Sequence, residues 1–158
     1  CYYINLVNFI YFLKFNIYIY IYKMSAILED TKDKMDIEDM QKSLLETRDG
    51  LEAALKRLVA LGPKMTLSKD KIDTMIVSQT AFGFNSAILH VHMHINTLRE
   101  LGLPPTVHLI RSIETLKQAA AVNGARLNAL LPKLASPAVV AEFRNLRASY
   151  EKLSGSKS

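Results

Sequence analysis

Ile37, Met40, Leu44, Thr47, Leu51, Ala54, Leu58 and Leu61 follow one another at steps of three and four without a break. Those steps place them along one face of an α-helix, and that face must be covered by other apolar surface. A helix from Asp36 to Leu61 is therefore expected. Asp36 is the expected N-cap, Glu38 and Asp39 suit the positive end of the helix dipole, and Gly62-Pro63 stops the helix. Gly50 lies inside it, at a cost of about 1 kcal/mol relative to Ala.

Three further stretches repeat the pattern. From Ser68, an expected cap, to about Leu101, the stripe is Val77, Ala81, Phe84, Ile88, Val91, Ile95 and Leu98. Met75, Phe82, Leu89 and Met93 are apolar too but fall on other faces. No residue from Thr74 to Leu98 carries a charge at pH 7 with its histidines neutral. Gln79, Asn85, Asn96 and three histidines make that segment costly in lipid, so it reads as the most buried helix of a bundle. After the break at Gly102, Pro104 and Pro105 come Leu109, Ile113, Leu116, Ala120, Asn123, Leu127, Leu130 and Leu134. The small residues from Ala119 to Gly124 invite close approach by another helix. Ser136-Pro137 is a specific helix start, followed by Val139, Phe143, Leu146, Tyr150 and Leu153. The expected fold is all-α, an up-down bundle of about four helices over residues 36–154, with a frayed tail at 155–158.

Composition agrees once the chain is divided. Residues 24–158 keep only Phe82, Phe84, Phe143 and Tyr150 as aromatics, so their core draws on Leu, Ile, Val, Met and Ala. The only cysteine is Cys1, which leaves no intramolecular disulfide and no thiolate zinc cluster. That usage suits a cytoplasmic or nuclear protein.

The first 23 residues are different in kind. All but Cys1 and Val7 can be written in codons of A and T alone, and the alternation from Ile17 to Tyr22 is what a TATATA repeat encodes. The segment reads as a translated leader, with Met24 as the expected start. The alternative is a membrane anchor, for which about 20 residues suffice. Asn5, Asn8, Lys14 and Asn16 speak against that. Residues 24–35 read as a flexible acidic lead-in.

One stretch looks chemical: His90-Val91-His92-Met93-His94-Ile95-Asn96. It resembles the signature of the histidine-triad nucleotide hydrolases and transferases. The resemblance covers seven residues and implies a strand in an α+β fold, with His92 attacking phosphorus. Asn96 stands where that family has an apolar residue. Helical spacing implies something else. His90 and His94 share a face, while His92 points about 200° away from His90. Two ligands make no strong zinc site, though His108 could approach across a hairpin. On the helical reading the three imidazoles are structural, bonding to neighbouring helices and softening the bundle below about pH 6.5.

Charge divides the chain again. Residues 74–158 are net positive, through cations spread singly along two helices; Arg111, Lys133, Arg144 and Arg147 are the candidate anion contacts. The expected function is a non-catalytic helical adaptor or complex subunit that needs no cofactor and no metal. It would meet a helical protein, or itself, through Phe82, Leu89 and Met93 if the bundle leaves them uncovered. A basic accessory factor touching RNA or DNA phosphates is the alternative. A nucleotide-processing or metal-binding role for His90–His94 is the remote one, and a membrane enters only if residues 1–23 are an anchor.

Overall fold

The structure is a computed structural model that describes residues 2–32, 37–65 and 68–155, with side chains from 5–24, 37–65 and 69–155. Within these the chain is all-α. It forms α1 (Tyr2–Lys32), α2 (Ile37–Leu61), α3 (Ser68–Glu100), α4 (Val107–Leu130) and α5 (Pro137–Ser154). The count is five where about four were expected, and the addition is α1. No Gly or Pro occurs before Gly50, so nothing interrupts a helix over the first 32 residues. Met24–Lys32 accordingly continues α1 where a loose lead-in was expected. Residues 33–35, the expected cap Asp36, the side chain of Ser68 and residues 156–158 of the tail lie outside the described residues.

The breaks fall where the sequence puts them. Gly62–Lys64 closes α2 with a 3-10 turn built on Pro63, and Leu131–Lys133 does the same after α4 with Pro132. Thr106 caps α4 by accepting the Leu109 N–H at 3.1 Å. Ser136 caps α5, its hydroxyl taking the Val139 N–H, with Pro137 in the first turn. Gly155 ends α5 in the left-handed region at φ 74°, where a side chain would be strained.

α2 packs against α3 and α5, and α4 packs against the same two helices. Side-chain partners give the directions. Gln41, early in α2, bonds to His92 and Asn96, late in α3. Glu46 and Arg57 of α2 bond to Lys152 and Glu142 of α5, in reversed order. Asp73 and Thr80 of α3 share a groove with Leu130 and Asn123 of α4, and Asn128 of α4 bonds to Arg147 of α5. With His94, late in α3, beside His108, early in α4, and Gly124 of α4 beside Tyr150 and Glu151 of α5, each of these pairs runs antiparallel. In the centre Phe84 meets Tyr150 edge-to-face, ring centres 5.2 Å apart.

The apolar stripes make the core. Leu44, Leu51, Ala54 and Leu58 of α2 are fully buried, as are Ile88, Ile113, Ala120, Val139, Phe143 and Leu146. Ile37, Met40, Leu61, Leu130 and Leu134 are half-buried at the ends, and Asn123 is half-buried beside the stripe of α4. Leu55, Met65 and Ile110 join the core without having belonged to any stripe. Of the three glycines inside helices, Gly50 and Gly124 face α5 and Gly83 faces open space. A side chain at Gly50 would collide with the Ser149 hydroxyl, and a Cβ at Gly124 would touch Glu151 at 3.6 Å and Tyr150 at 3.8 Å. The cost of Gly50 to its own helix thus accompanies a close approach by α5.

Candidate interaction surface

α3 carries the candidates for chemistry or contact except the cations and His108, which lies in α4. Its long uncharged middle has two sides. The stripe from Val77 to Leu98 turns inward and is buried. Opposite lies a second apolar row. Met75 is 55% exposed, Phe82 54%, Leu89 37% and Met93 63%. Residues 75, 82, 89 and 93 are separated by steps of seven, seven and four, so they line up along the helix. Gln79 and Ser86 lie exposed between them, and Gly83 is exposed on the flank of the row. At the α2 end of the row, Val59, Met75 and Phe82 border an open groove of about 430 Å³ that also touches Ser78 and Gln79.

The expectation that α3 is the most buried helix is corrected on this side. A helix enclosed on every face needs neighbours all round, and α3 has α2 and α4 only on its inner half. The row remains uncovered.

The histidines occupy three separate settings. His90 is exposed. His92 is half-buried in a polar knot between the start of α2 and the end of α3. There Gln41 Nε2 lies 2.8 Å from His92 Nδ1 and donates to Asn96 Oδ1 at 2.8 Å. Asn96 Nδ2 sits 3.2 Å from His92 Nε2, and Arg99 donates to Gln41 Oε1 at 2.9 Å. A neutral imidazole accepts at one nitrogen, so His92 satisfies one of the two amides in this arrangement. His94 and His108 approach across the α3–α4 connection, ring centres 6.0 Å apart. None of the three imidazoles is fully enclosed, and His92 is the one that bonds across to a neighbouring helix. The motif lies within α3, and the strand that the nucleotide-hydrolase resemblance implies is not there. Among the described residues, no three His, Cys, Asp or Glu side chains group closely enough to hold a metal ion.

The four candidate cations do not form one patch. Arg111, Lys133 and Arg144 are exposed. Arg147 is half-buried, donating to Asn128 Oδ1 at 2.8 Å and lying 3.9 Å from Glu151. Asn128 marks the level of Arg147, and Arg111 lies about 26 Å back along α4 from that level. A phosphate backbone meeting Arg144 would not meet Arg111 on the same short footprint.

Sequence reasoning missed the buried polar contacts. The Asp70 carboxylate, 2% exposed, accepts the N–H of Ser136 at 2.9 Å and of Ala135 at 3.3 Å. It ties the start of α3 to the connection before α5. Glu142 is buried and takes the Arg57 Nε–H with both oxygens, at 2.8 and 2.9 Å, plus Asn145 at 3.3 Å. Lys152 donates to Glu46 at 2.8 Å and holds that exposed carboxyl below its ordinary range. Between α3 and α4 a shallow hollow of about 170 Å³ is lined by Ile76, Val77, Leu127 and Tyr150, with Asp73 and Arg126 at its edge.

No helix among the described residues is long and apolar enough to cross a membrane. Comparison of the chain with protein families, curated proteins and solved structures gave no match.

Proposed function

We propose that α2 to α5 form an up-down bundle whose work is assembly, not catalysis, and that the outer row of α3 is its contact surface. One observation carries this reading. Phe82, Leu89 and Met93 stand exposed in line with Met75, on a helix whose opposite side already fills the core. An apolar row in the interior of a long helix is poorly solvated along its length and matches the face of another helix. No charge interrupts it from Thr74 to Leu98, so the matching face is apolar as well. A cytoplasmic or nuclear setting fits the cysteine usage, and nothing in this mode of action calls for a cofactor.

The test compares two baits purified from the native cells under identical conditions: the wild-type chain and the Phe82→Asp/Met93→Asp variant. Wild type should retain a helical protein, another or itself, in stoichiometric amount, and the variant should lose it. An unchanged set of retained proteins would remove α3 from the contact. Retention of nucleic acid by both baits, with steep salt dependence, would move the protein to the class that binds phosphates through its cations.

A further inference from the structure

We propose that the outer row of α3 pairs with the same row of a second copy, the two α3 helices running antiparallel about a two-fold axis beside Ser86. This rests on the reading of α3 as the contact surface and names its occupant.

Three independent features of the row specify one register. The first is shape. Met75, Ser78, Gln79 and Phe82 border one side of the open groove, and residues at i, i+3, i+4 and i+7 form the four-cornered hole that receives a knob from a facing helix. Met93, 63% exposed, is the knob available in the same row. Seating it there places the two-fold beside Ser86. The second is the pairing of large side chains. About an axis between Asn85 and Ser86, Phe82 lies level with Leu89 of the second copy, and Leu89 with its Phe82. The third is charge. The row is bounded by Lys71 at one end and Glu100 at the other, both exposed and neither in an ion pair among the described residues. The same axis sets Lys71 level with Glu100 of the second copy, twice per dimer.

The centre of the row is small where the helices would cross. Ser86 and Gly83 are exposed, and nothing within 4 Å would meet a side chain at Gly83. Small residues at a crossing let two helices approach to about 8 Å. A parallel pairing would put Lys71 against Lys71 and Glu100 against Glu100, and like charges at matched positions oppose association. An isologous dimer needs a surface complementary to itself, and this row meets that condition only in the antiparallel sense. From Lys71 to Glu100 the contact would extend about 44 Å along the helix. One helix pair of that length stands at the low end of stable interfaces, so a dissociation constant on the order of micromolar is expected.

The experiment is sedimentation equilibrium of the purified full chain from micromolar to millimolar concentration, with circular dichroism to confirm folding. Wild type should dimerise. Phe82→Asp should weaken the dimer by about a hundredfold. Lys71→Glu alone and Glu100→Lys alone should each weaken it by about tenfold, and the double exchange should restore it. Ser86→Cys with Cys1→Ser should form a disulfide between copies at their axis. A monomeric wild type would overturn the proposal. So would association that persists in Phe82→Asp, since that would place the contact away from this row, or charge variants that fail to rescue each other. If the pure protein is monomeric while the native-cell bait still loses a protein on Phe82→Asp/Met93→Asp, the surface stands and its occupant is a different chain. If that bait loses nothing, the surface itself fails.

Discussion

α1 and α2 are both long helices, and they treat their apolar residues in opposite ways. In α2 the apolar side chains recur on one face and vanish into the core, with Leu44, Leu51 and Leu58 wholly enclosed. In α1 they occur all round the helix. Tyr11 is 69% exposed, Phe12 63% and Tyr22 68%. α1 is the more apolar segment and the less buried one. The contrast teaches that quantity of hydrophobic residue does not make a core. A one-sided arrangement does, because only a one-sided helix can bury its apolar part while its polar part stays in water. Beyond its own hydrogen bonds, α1 has a narrow contact with α4.

Truncation breaks or sharpens this contrast most strongly. Phe143→Ala should cost about 3–5 kcal/mol and Leu51→Ala about 2–5, since both side chains are fully enclosed. Phe12→Ala should change stability by less than about 0.5 kcal/mol. Urea midpoints of the full chain measure all three. An α1 variant as damaging as a core variant would mean that Phe12 is held by more than the narrow contact of α1 with α4.

Polar ties come next in size. Asp70→Ala should destabilise the bundle by about 1–3 kcal/mol, because it strands the backbone N–H groups of Ala135 and Ser136. Asp70→Asn should recover part of the loss, as an amide oxygen still accepts. Faster amide exchange at residues 134–136 would locate the effect. α1 offers no exposed acid for a comparable experiment among its described side chains.

The smallest effect is one of pH. Tyr150 is buried, and desolvation pushes its phenol above the ordinary tyrosine range. The folded state therefore keeps that proton after an unfolded chain has begun to lose it, so stability is intact below about pH 10 and falls as pH rises further. Tyr150→Phe should leave neutral stability nearly unchanged and flatten the alkaline decline in thermal melts. A decline just as steep in Tyr150→Phe would trace it to another group.

How much of this was readable beforehand divides along physical lines. Val77 to Leu98, or Val139 to Leu153, announce their faces because the helical repeat is written within the segment itself. Ser136-Pro137 could be read for the same reason, a cap being a local event. Asp70 with Ser136, Gln41 with His92 and Arg57 with Glu142 could not. Their partners lie 66, 51 and 85 residues away, and nothing in the local sequence marks the match. Phe82, Leu89 and Met93 were readable as off the core stripe, but their exposure depended on which sides of α3 the other helices took. The histidine cluster misled because alternation suggests a strand, while its surroundings impose a helix and scatter the rings.

Gly50 and Gly124 both open toward α5, which follows α2, α3 and α4 along the chain. Until it emerges, the nascent chain holds α2 and α4 with their inner faces half-wet and no wedge between them. Most of the bundle's packing is thus deferred until α5 has been made. The interval before α5 emerges is when such a chain most needs shelter from other apolar surfaces. A message cut short before Pro137 would leave α2 and α4 without the helix that both pack against, a product suited to rapid clearance by quality control.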